Sequence, residues 1–364
     1  MYIILIIILL AILIYAFFRQ PQFGRLPQGE RLEKIKRAPN YQNGSFQNLS
    51  ETPDLTEGAT YFSVGREFFF GRKKRVSPKH KIPSEKTDLL NLESNKDVLV
   101  WFGHSSYFIQ IDGKKILVDP VFCGYASPFS FSTKAFEGTN NYTADDMPNI
   151  DFLFISHDHW DHFDYKTLKK LQPKIKQVIT GLGTGQPLEH WGYHSNQIIE
   201  KNWNEHTILE EEFTVDTVPS RHFSGRLLKR NQALWTSFVL QTPTMKIFIG
   251  GDSGYDNHFA AIGKEFGPFD LVILENGQYD KSWKYIHLMP GQVLQAAKDL
   301  NAKKLLAVHN SKFAIANHAW DEPLINIAKE CVNENIKLLT PKIGEQVNLK
   351  DDDQIFSEWW NGVD

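Results

Sequence analysis

Cysteine is almost absent from this chain of 364 residues, which contains only Cys123 and Cys331. A domain stabilised by a disulfide framework needs several cysteine pairs, so that class of protein is excluded. The two cysteines lie far apart in the sequence and do not have the spacing of metal ligands. Buried free thiols are the expected state of both, and a single bridge between them stays open.

An excess of charge of either sign is lacking as well. The chain has 40 lysines and arginines against 43 aspartates and glutamates, and its formal net charge is −3. This balance is ordinary for a globular protein. No repeat of short period is present, so a solenoid is not expected. The length and the 41% hydrophobic content fit one large globular domain or two.

Charged side chains are missing from residues 2–18, which are apolar throughout. A run of about 17 residues is at the lower limit for a helix that crosses a bilayer. No positive charge precedes the run, and the sequence after it is a poor cleavage site, so a cleaved signal peptide is the less favoured alternative. Because basic residues follow at once, the positive-inside rule predicts a single-pass N-terminal membrane anchor over residues 1–18, with the domain after it on the cytoplasmic side. The basic residues of this flank are Arg19, Arg25, Arg31, Lys34, Lys36 and Arg37.

Residues 19–95 are rich in proline, asparagine, serine and glycine, and they are predicted to form a basic, loop-rich linker and N-terminal extension. Within them, residues 67–75 combine three phenylalanines with four basic side chains. This combination fits contact with anionic lipid headgroups. It fits nucleic-acid binding equally, but nothing else in the chain supports that, and a solvated loop whose phenylalanines pack into the core is the other alternative. The ordered domain is predicted for residues 96–350, and residues 351–364 are expected to form a C-terminal tail.

Regular structure is predicted from about residue 98 onward. A β-hairpin is expected at residues 107–118, because two apolar runs flank the turn sequence Asp112-Gly113. Strands come in runs early and alternate with helices later, which predicts an α/β (α+β) fold of mixed sheets with helices outside. Further predicted strands lie at residues 151–155, 177–180, 214–218, 237–241, 246–249, 271–274 and 304–308, and helices at 163–171, 291–300 and 323–335.

The densest group of possible metal ligands follows the apolar run at residues 151–155. Three histidines and two aspartates occur within the tract His157-Asp158-His159-Trp160-Asp161-His162. Imidazole and carboxylate suit zinc and similar divalent cations, and two ions can share this many donors. A polar surface loop is the less favoured alternative, because tracts so rich in ligand types are rare outside metal sites.

Three other predicted strands lead to a possible ligand. The strand at 246–249 is followed by two glycines and Asp252, the strand at 304–308 by His309, and the strand at 214–218 leads to His222. Strand ends that meet at one edge of a sheet bring such distant residues into one pocket. A single histidine after a strand is more often structural, but three strand ends together with the tract at 157–162 favour a metal site.

Taken in order, these residues resemble the metallo-β-lactamase superfamily over roughly residues 98–349. The closer resemblance is to its branch of N-acylphosphatidylethanolamine-hydrolysing phospholipases D, and bacterial ascorbate-6-phosphate lactonases share a looser version of the pattern. The motifs that carry the closer resemblance are Trp101-Phe102-Gly103-His104, Leu117-Val118-Asp119-Pro120, Pro219-Ser220-Arg221-His222, Gly251-Asp252-Ser253-Gly254-Tyr255 and Phe266-Gly267-Pro268-Phe269-Asp270-Leu271.

The resemblance implies an αββα sandwich, in which two mixed β-sheets pack face to face and helices cover the outer faces. It also implies two zinc ions at one sheet edge, a position that other divalent metals can also fill. A hydroxide shared by the two ions is the implied nucleophile, because each ion lowers the pKa of bound water. The implied ligands are His157, His159 and His222 for one ion, Asp161, His162 and His309 for the other, and Asp252 as a bridge. The implied catalytic residues are Asp161, Asp252 and His287.

Three side chains are predicted next to the ligands. Asp119, at the tip of its strand, is expected to hydrogen-bond a ligating imidazole, with a simple strand-end turn residue as the alternative. His104 and His287 are expected to line the pocket or to stabilise the phosphate and the leaving group, with ordinary packing or capping as the alternative.

Two further residues lie where the sequence departs from the phospholipase branch. Trp160 stands where that branch often has tyrosine, and Gln278 lies in a segment that differs from the usual form. Both are predicted near the substrate. Asp158 is not expected to be a ligand.

The leading functional hypothesis is a zinc-dependent phosphodiesterase that releases phosphatidic acid and an N-acylethanolamine from a membrane phospholipid. Its expected partners are this phospholipid and anionic lipid headgroups, without nucleic acid, and the oligomeric state is left open, a homodimer included. A hydrolase of a small phosphorylated or lactone substrate is the alternative among enzymes. A non-catalytic metal-binding scaffold is the alternative among other proteins.

Overall fold

The computed structural model describes residues 2–71, 73–226 and 229–364, without the side chain of Phe69. Met1 of the predicted anchor and Arg72 of the predicted basic cluster lie outside the described residues. The helices and strands are, in chain order, α1 (Tyr2–Phe18), α2 (Gly29–Lys36), β1 (Tyr41–Gln42), β2 (Ser45–Phe46), α3 (Tyr61–Phe70), β3 (Val98–Trp101), β4 (Tyr107–Ile111), β5 (Lys114–Val118), β6 (Ile150–Ile155), α4 (Tyr165–Leu171), β7 (Ile175–Gly181), α5 (Gly185–His190), β8 (Ile198–Lys201), β9 (Glu205–Glu210), β10 (Phe213–Val218), β11 (Ser237–Gln241), β12 (Lys246–Ile249), α6 (His258–Phe266), β13 (Leu271–Glu275), α7 (Gln292–Asp299), β14 (Lys304–Val308), α8 (Glu322–Glu330), β15 (Lys337–Leu339) and β16 (Gln346–Asn348).

Two seven-stranded sheets form the body of the protein. Their strand orders are β16-β3-β4-β5-β6-β7-β8 and β9-β10-β11-β12-β13-β14-β15. In each sheet the first three neighbouring pairs are antiparallel and the last three are parallel. The two halves of the chain therefore build sheets of the same connectivity. The predicted αββα sandwich of two mixed sheets is confirmed.

Alternation along the strands builds three apolar layers. In β3, Leu99 and Trp101 face the layer that contains strands of both sheets, whereas Val100 faces a second layer that includes residues of α4 and α5. A third layer lies between the second sheet and helices α6, α7 and α8. Because both faces of each sheet are buried, the central strands are continuous apolar runs rather than alternating ones.

The predicted hairpin is present between β4 and β5. Asp112 and Gly113 form its turn with φ angles of 47° and 76°, as a two-residue turn between twisted antiparallel strands requires. The register pairs Ile111 with Lys114.

The prediction of a single-pass N-terminal anchor is wrong. Helix α1 has 17 residues, and with a rise of 1.5 Å per residue it spans roughly 26 Å, less than the hydrocarbon core of a typical bilayer. Among the described residues, no helix has both the length and the apolar character that a membrane crossing needs. The predicted cytoplasmic orientation depends on that anchor and therefore loses its basis.

Both segments that flank the sandwich contact it. Arg31 of α2 forms ion pairs with Glu189 at 2.9 Å and with Glu200 at 2.6 Å. Near the C-terminus, Trp359 packs into the layer between the sheets, with its ring 6.5 Å from that of Trp101. The division into a linker at 19–95, a domain at 96–350 and a tail at 351–364 stays a prediction.

Candidate metal centre

The loops that follow β6, β10, β12 and β14 converge at one edge of the sandwich. Each strand ends shortly before one or more polar side chains, and the convergence of these ends collects histidines and aspartates from distant parts of the sequence. Their side chains are removed from solvent, since none of the five central residues is more than 3% exposed. These residues are His157, His162, His222, Asp252 and His309.

The first group of ligand atoms centres on His159. Its Nδ1 lies 2.9 Å from Nε2 of His157 and 3.2 Å from Nε2 of His222. The carboxylate oxygen Oδ2 of Asp252 is 3.8 Å and 3.7 Å from the same two Nε2 atoms. The four ligand atoms lie within 4.8 Å of one another. Three imidazoles and one carboxylate can hold a divalent cation at this point.

The second group is on the other side of Asp252. Its Oδ1 lies 3.2 Å from Nε2 of His162 and 3.2 Å from Nδ1 of His309. Oδ2 of Asp161 is 3.5 Å from the same His162 nitrogen, and His104 contributes a fourth atom within the 4.8 Å limit. Asp252 thus directs one carboxylate oxygen at each group, which is the geometry that a bridging ligand needs.

Four buried polar atoms of this centre form no hydrogen bond within the described residues, although buried polar atoms are nearly always satisfied. They are Nδ1 of His104, Nε2 of His159, Nε2 of His162 and Oδ1 of Asp252. Burial lowers the pKa of His222 and His309 well below its ordinary value and that of His159 to about 4. Their rings are therefore neutral near pH 7 and offer lone pairs. The residues fit divalent cations.

The carboxylates set the charge of the centre. Burial alone would raise the pKa of Asp252, but His162 and His309 hold it well below the usual range, and His162 and His104 do the same for Asp161. Burial alone would lower the pKa of His162, but Asp252 and Asp161 raise it well above its usual value. A bound cation would replace the proton of His162, because metal binding and protonation compete for one nitrogen.

A cavity of about 400 Å³ opens onto both groups of ligand atoms. On one side it is lined by residues of the centre, namely His159, Asp161, His222, Asp252, His287 and His309. Much of the remaining lining is an apolar wall, formed by Leu55, Val64, Phe223, Trp283, Ile286 and Ile315. At this wall an ion pair joins Arg230 to Asp54 at 2.5 Å, and the Tyr61 hydroxyl donates to the same carboxylate at 2.8 Å.

Comparison of the sequence with known protein families gives a match that includes the metal centre. The profile described as the beta-lactamase superfamily domain matches residues 114–310, which contain all seven residues of the implied ligand set. This match covers more than half of the chain. The chain belongs to the β-lactamase superfamily. The resemblance inferred from the sequence is confirmed.

Individual proteins also match this chain, over 57–89% of its length. An uncharacterized protein of Mycobacterium bovis is 32% identical over 336 residues, which are 89% of this chain and 88% of that protein. The N-acyl-phosphatidylethanolamine-hydrolyzing phospholipase D 1 of Caenorhabditis elegans is 30% identical over 57% of this chain and 62% of its own length. The mitochondrial protein of that description from Saccharomyces cerevisiae is 30% identical over 61% of this chain and 49% of its own length.

Solved structures share the fold. A metallo hydrolase from Ignicoccus hospitalis matches 70% of this chain and 98% of its own, with a TM-score of 0.51 and 19% identity. An isothiocyanate hydrolase from Delia radicum gut bacteria matches 69% and 98%, with a TM-score of 0.53 and 18% identity. Together with the family match and the two groups of ligand atoms, this identifies the chain as a metal-dependent hydrolase of the superfamily.

Asp119 lies directly behind the ligands. Its Oδ2 accepts from Nδ1 of His162 at 2.8 Å and from the Ser156 hydroxyl at 2.6 Å, and its Oδ1 accepts from the Ser156 backbone N–H at 2.9 Å. The contact with Nδ1 holds the ring of His162 with Nε2 toward the centre, where a bound cation would replace its proton. These contacts favour an orienting role over that of a simple turn residue.

Replacing Asp119 by asparagine is expected to weaken metal binding about 10- to 100-fold without unfolding the protein, because the amide no longer fixes the ring of His162. Competition with a coloured chelator measures the change in affinity. Asp145→Asn, at an exposed carboxylate in a different loop, is the control and should bind metal as the unchanged protein does. Equal affinities in all three proteins would contradict the orienting role.

His104 contacts the second group rather than the apolar core alone. Its Nε2 lies 2.8 Å from Oδ2 of Asp161, and its backbone exchanges hydrogen bonds with His309 and Asn310, both at 2.9 Å. The residue has a φ of 53°, which is a left-handed backbone conformation that residues other than glycine seldom adopt. Its position therefore favours a role in orienting Asp161.

The other two residues predicted near the substrate have different surroundings. Trp160 lines a separate cavity of about 270 Å³ and packs against Phe23, with ring centroids 5.3 Å apart. Gln278 borders the larger cavity, but its Oε1 accepts from the backbone of Ile315 and Ala316, and its Nε2 donates to backbone oxygens. Gln278 thus holds the loop after His309.

Sequence reasoning missed Arg226, which supports the ligand loop from behind. Its guanidinium donates to the backbone oxygens of Asp158 at 3.0 Å and Phe163 at 2.6 Å, and it lies 3.8 Å from the centroid of the Trp160 ring. Asp158 accepts from the Gly225 backbone and is outside both groups of ligand atoms. The contacts of Arg226 cross more than 60 residues of sequence, and no local pattern indicates them.

Sequence reasoning gave Glu275 no role of its own, although it placed the segment 275–279 near the substrate and a more specific signal exists. It is the last residue of β13, and it therefore stands at a strand end, as the predicted ligands do. Glu275 belongs to a third group of close ligand atoms with Asp252, His287 and His309. Applying the strand-end criterion to the strand predicted at 271–274 would have indicated it.

Proposed function

We propose that this protein is a zinc-dependent phosphodiesterase of the phospholipase D type. Its substrate would be a lipid of the N-acylphosphatidylethanolamine kind, and its products phosphatidic acid and an N-acylethanolamine. The observation that carries the proposal is the cavity in which a metal centre adjoins an apolar wall. A lipid phosphodiester has the matching parts, an anionic phosphate next to long hydrocarbon chains. The two relatives described as phospholipases D of this kind support the same substrate.

Seven residues would hold two zinc ions. Bound there, the ions would supply Lewis acidity, which lowers the pKa of water and neutralises charge on the phosphoryl oxygens. Imidazole and carboxylate donors accept zinc readily, but they also accept iron and manganese. The proposed ligands are His157, His159 and His222 for one ion, Asp161, His162 and His309 for the other, and Asp252 between them.

The side chains of the cavity would bind and orient the lipid. The apolar wall around Leu55, Val64 and Trp283 would remove hydrocarbon from water, at roughly 25 cal/mol per Å² of buried surface. His287 faces the same cavity from the side of the metal centre and would deliver a proton to the alcohol oxygen that leaves as the P–O bond breaks.

The surface beside the cavity fits anionic headgroups. Helix α3 leads into this surface, and Phe62 and Phe70 on it are 81% and 88% exposed. Lys73 and Lys74, just beyond the helix, are also exposed. Aromatic rings next to basic side chains are typical of proteins that rest on a lipid surface.

The direct test is turnover of N-acylphosphatidylethanolamine in vesicles by the zinc-loaded protein, with release of the N-acylethanolamine followed by mass spectrometry. We expect Leu55→Asp to lower this turnover about 10-fold or more, because a carboxylate in the apolar wall disfavours the hydrocarbon chain. Turnover of bis(p-nitrophenyl) phosphate, which has no such chain, should change less than about 3-fold.

Leu90→Asp is the matched control, because Leu90 is exposed and does not line the cavity. It should leave both activities unchanged. Turnover of lactones without turnover of either phosphodiester would show the small-substrate hydrolase instead, and absence of any turnover by the metal-loaded protein would show a scaffold.

A further inference from the structure

We propose that Glu275 is a positioning residue that holds the imidazole of His287 with Nε2 directed into the cavity. The proposal rests on the proposed function, in which His287 delivers a proton to the leaving alcohol. It goes further in naming the group that makes His287 able to do so. Glu275 acts through His287 and does not itself touch the lipid.

Hydrogen bonds fix the carboxylate of Glu275 in one orientation. It lies at the end of β13 and is 2% exposed. Its Oε1 accepts from the backbone N–H of Ser253 at 3.0 Å and of Leu288 at 2.9 Å, and its Oε2 lies 2.5 Å from Nδ1 of His287. Two backbone donors thus hold one oxygen, and the other is left for the imidazole.

The pairing determines which ring nitrogen is available. A buried carboxylate needs a compensating partner, and among the described residues no lysine or arginine forms an ion pair with Glu275, whereas His287 does. Nδ1 therefore donates to Oε2, and Nε2 forms no hydrogen bond within the described residues. Held in this way, Nε2 is the ring nitrogen that can exchange a proton with a substrate in the cavity.

The ring of His287 lies beside the metal centre. Its centroid is 5.0 Å from that of His222 and 5.3 Å from that of His309, and its side chain lines the cavity. A proton on Nε2 thus lies where the phosphodiester would be held. As the P–O bond breaks, this proton goes to the alcohol oxygen. The attacking water forms the new P–O bond and returns one proton to His287, so that the imidazole is unchanged after one turnover.

The alternative is that a third cation occupies the space between Glu275, His287 and the metal centre. The ligand atoms of Asp252, Glu275, His287 and His309 lie within 4.8 Å of one another. A cation there would take the lone pairs of His287, and no proton could be delivered. The number of metal ions per chain separates the two interpretations.

The test compares Glu275→Gln, His287→Asn and the double variant, each loaded with zinc. Glutamine keeps the shape of the side chain but holds the imidazole less firmly, because a neutral amide is a weaker acceptor than a carboxylate. We expect Glu275→Gln to lower kcat on N-acylphosphatidylethanolamine about 10- to 100-fold, with KM changed less than about 3-fold. On bis(p-nitrophenyl) phosphate the loss should be under about 3-fold, because p-nitrophenolate leaves without a proton.

The double variant shows whether Glu275 acts through His287. If it does, Glu275→Gln has no further effect once His287 is asparagine, since coupled residues are not additive. Full additivity would overturn the proposal, and so would equal losses on the two substrates. Loss of one metal ion per chain in Glu275→Gln would also overturn it and would show the third cation.

Glu200→Gln is the matched control. Glu200 likewise accepts from two backbone amides, those of Gly183 and Gly185, and pairs with a basic side chain, Arg31, but it lies outside the cavity. This variant should keep the kcat of the unchanged protein on both substrates. A loss in Glu200→Gln equal to that in Glu275→Gln would mean that the effect is structural and would overturn the proposal.

A measurement without turnover keeps the proposal separate from the proposed function. In protein labelled with ¹⁵N-histidine, the proton in the short hydrogen bond from Nδ1 of His287 to Glu275 should give a strongly downfield signal. We expect the signal to be lost in His287→Asn and shifted upfield in Glu275→Gln. If no phosphodiester is hydrolysed, the proposed function fails, and these spectra still decide whether Glu275 holds the ring. An unchanged signal in Glu275→Gln would overturn the proposal.

Discussion

Replacing Asp252 by asparagine is expected to lower kcat on any substrate of this enzyme at least about 10³-fold, which is about 4 kcal/mol of transition-state stabilisation. The reason is its central position, since its two oxygens lie 3.2–3.8 Å from ligand atoms of both groups. An amide has no negative charge with which to hold two cations. We therefore expect metal content to fall by one ion or more per chain, as measured by plasma emission spectroscopy.

Asp151→Asn is the control for this variant. Asp151 also accepts a backbone hydrogen bond, from Lys115 at 2.9 Å, but it lies near the opposite end of β6 from the metal centre. Its kcat and metal content should match those of the unchanged protein. Retention of two metal ions and of more than about a tenth of the activity in Asp252→Asn would rule out the bridging role.

Removing the metal is expected to abolish turnover and also to destabilise the fold. The centre buries several imidazoles against two carboxylates, and a ligand at 100 to 1,000 times its Kd stabilises a folded protein by about 2.7–4.1 kcal/mol. For a chain of this size, whose entropy of unfolding is about 2.1 cal/mol/K per residue, we expect Tm to fall by roughly 4–6 °C after dialysis against chelator. Calorimetry measures the shift, and a phosphodiester assay the loss of activity.

Zinc added back should restore both the activity and the Tm, and parallel additions of iron and manganese show which ion supports the fastest turnover. Asp252→Asn is the reference here, because its Tm should respond little to chelator. Undiminished turnover in protein that contains less than about 0.1 metal ion per chain would contradict metal-dependent hydrolysis by this centre.

The sequence predicted the fold best where the information was local. The hairpin could be predicted because two neighbouring residues, Asp112 and Gly113, adopt the backbone angles that its turn requires. The central strands could be predicted because both of their faces are buried, which makes each strand a continuous apolar run. The seven ligands stay a prediction, and they could be named from the sequence because four lie within the tract at 157–162 and three follow predicted strands. The anchor prediction failed by length, since the apolar run at Tyr2–Phe18 forms a helix that is too short.

By itself, the sequence determined which donors are present and that they follow strands, because ligand chemistry and strand periodicity are properties of neighbouring residues. The division of those donors between two ions was implied by the resemblance to the superfamily, and only the tertiary structure decided which oxygen of Asp252 faces each group. It also decided that Trp160 lies in another cavity and that Gln278 holds a loop rather than facing the cavity with free polar atoms. The pair of Glu275 and His287 joins residues 12 positions apart through a buried 2.5 Å contact. Such contacts depend on how two sheets pack, and packing brings together side chains that no short stretch of sequence relates.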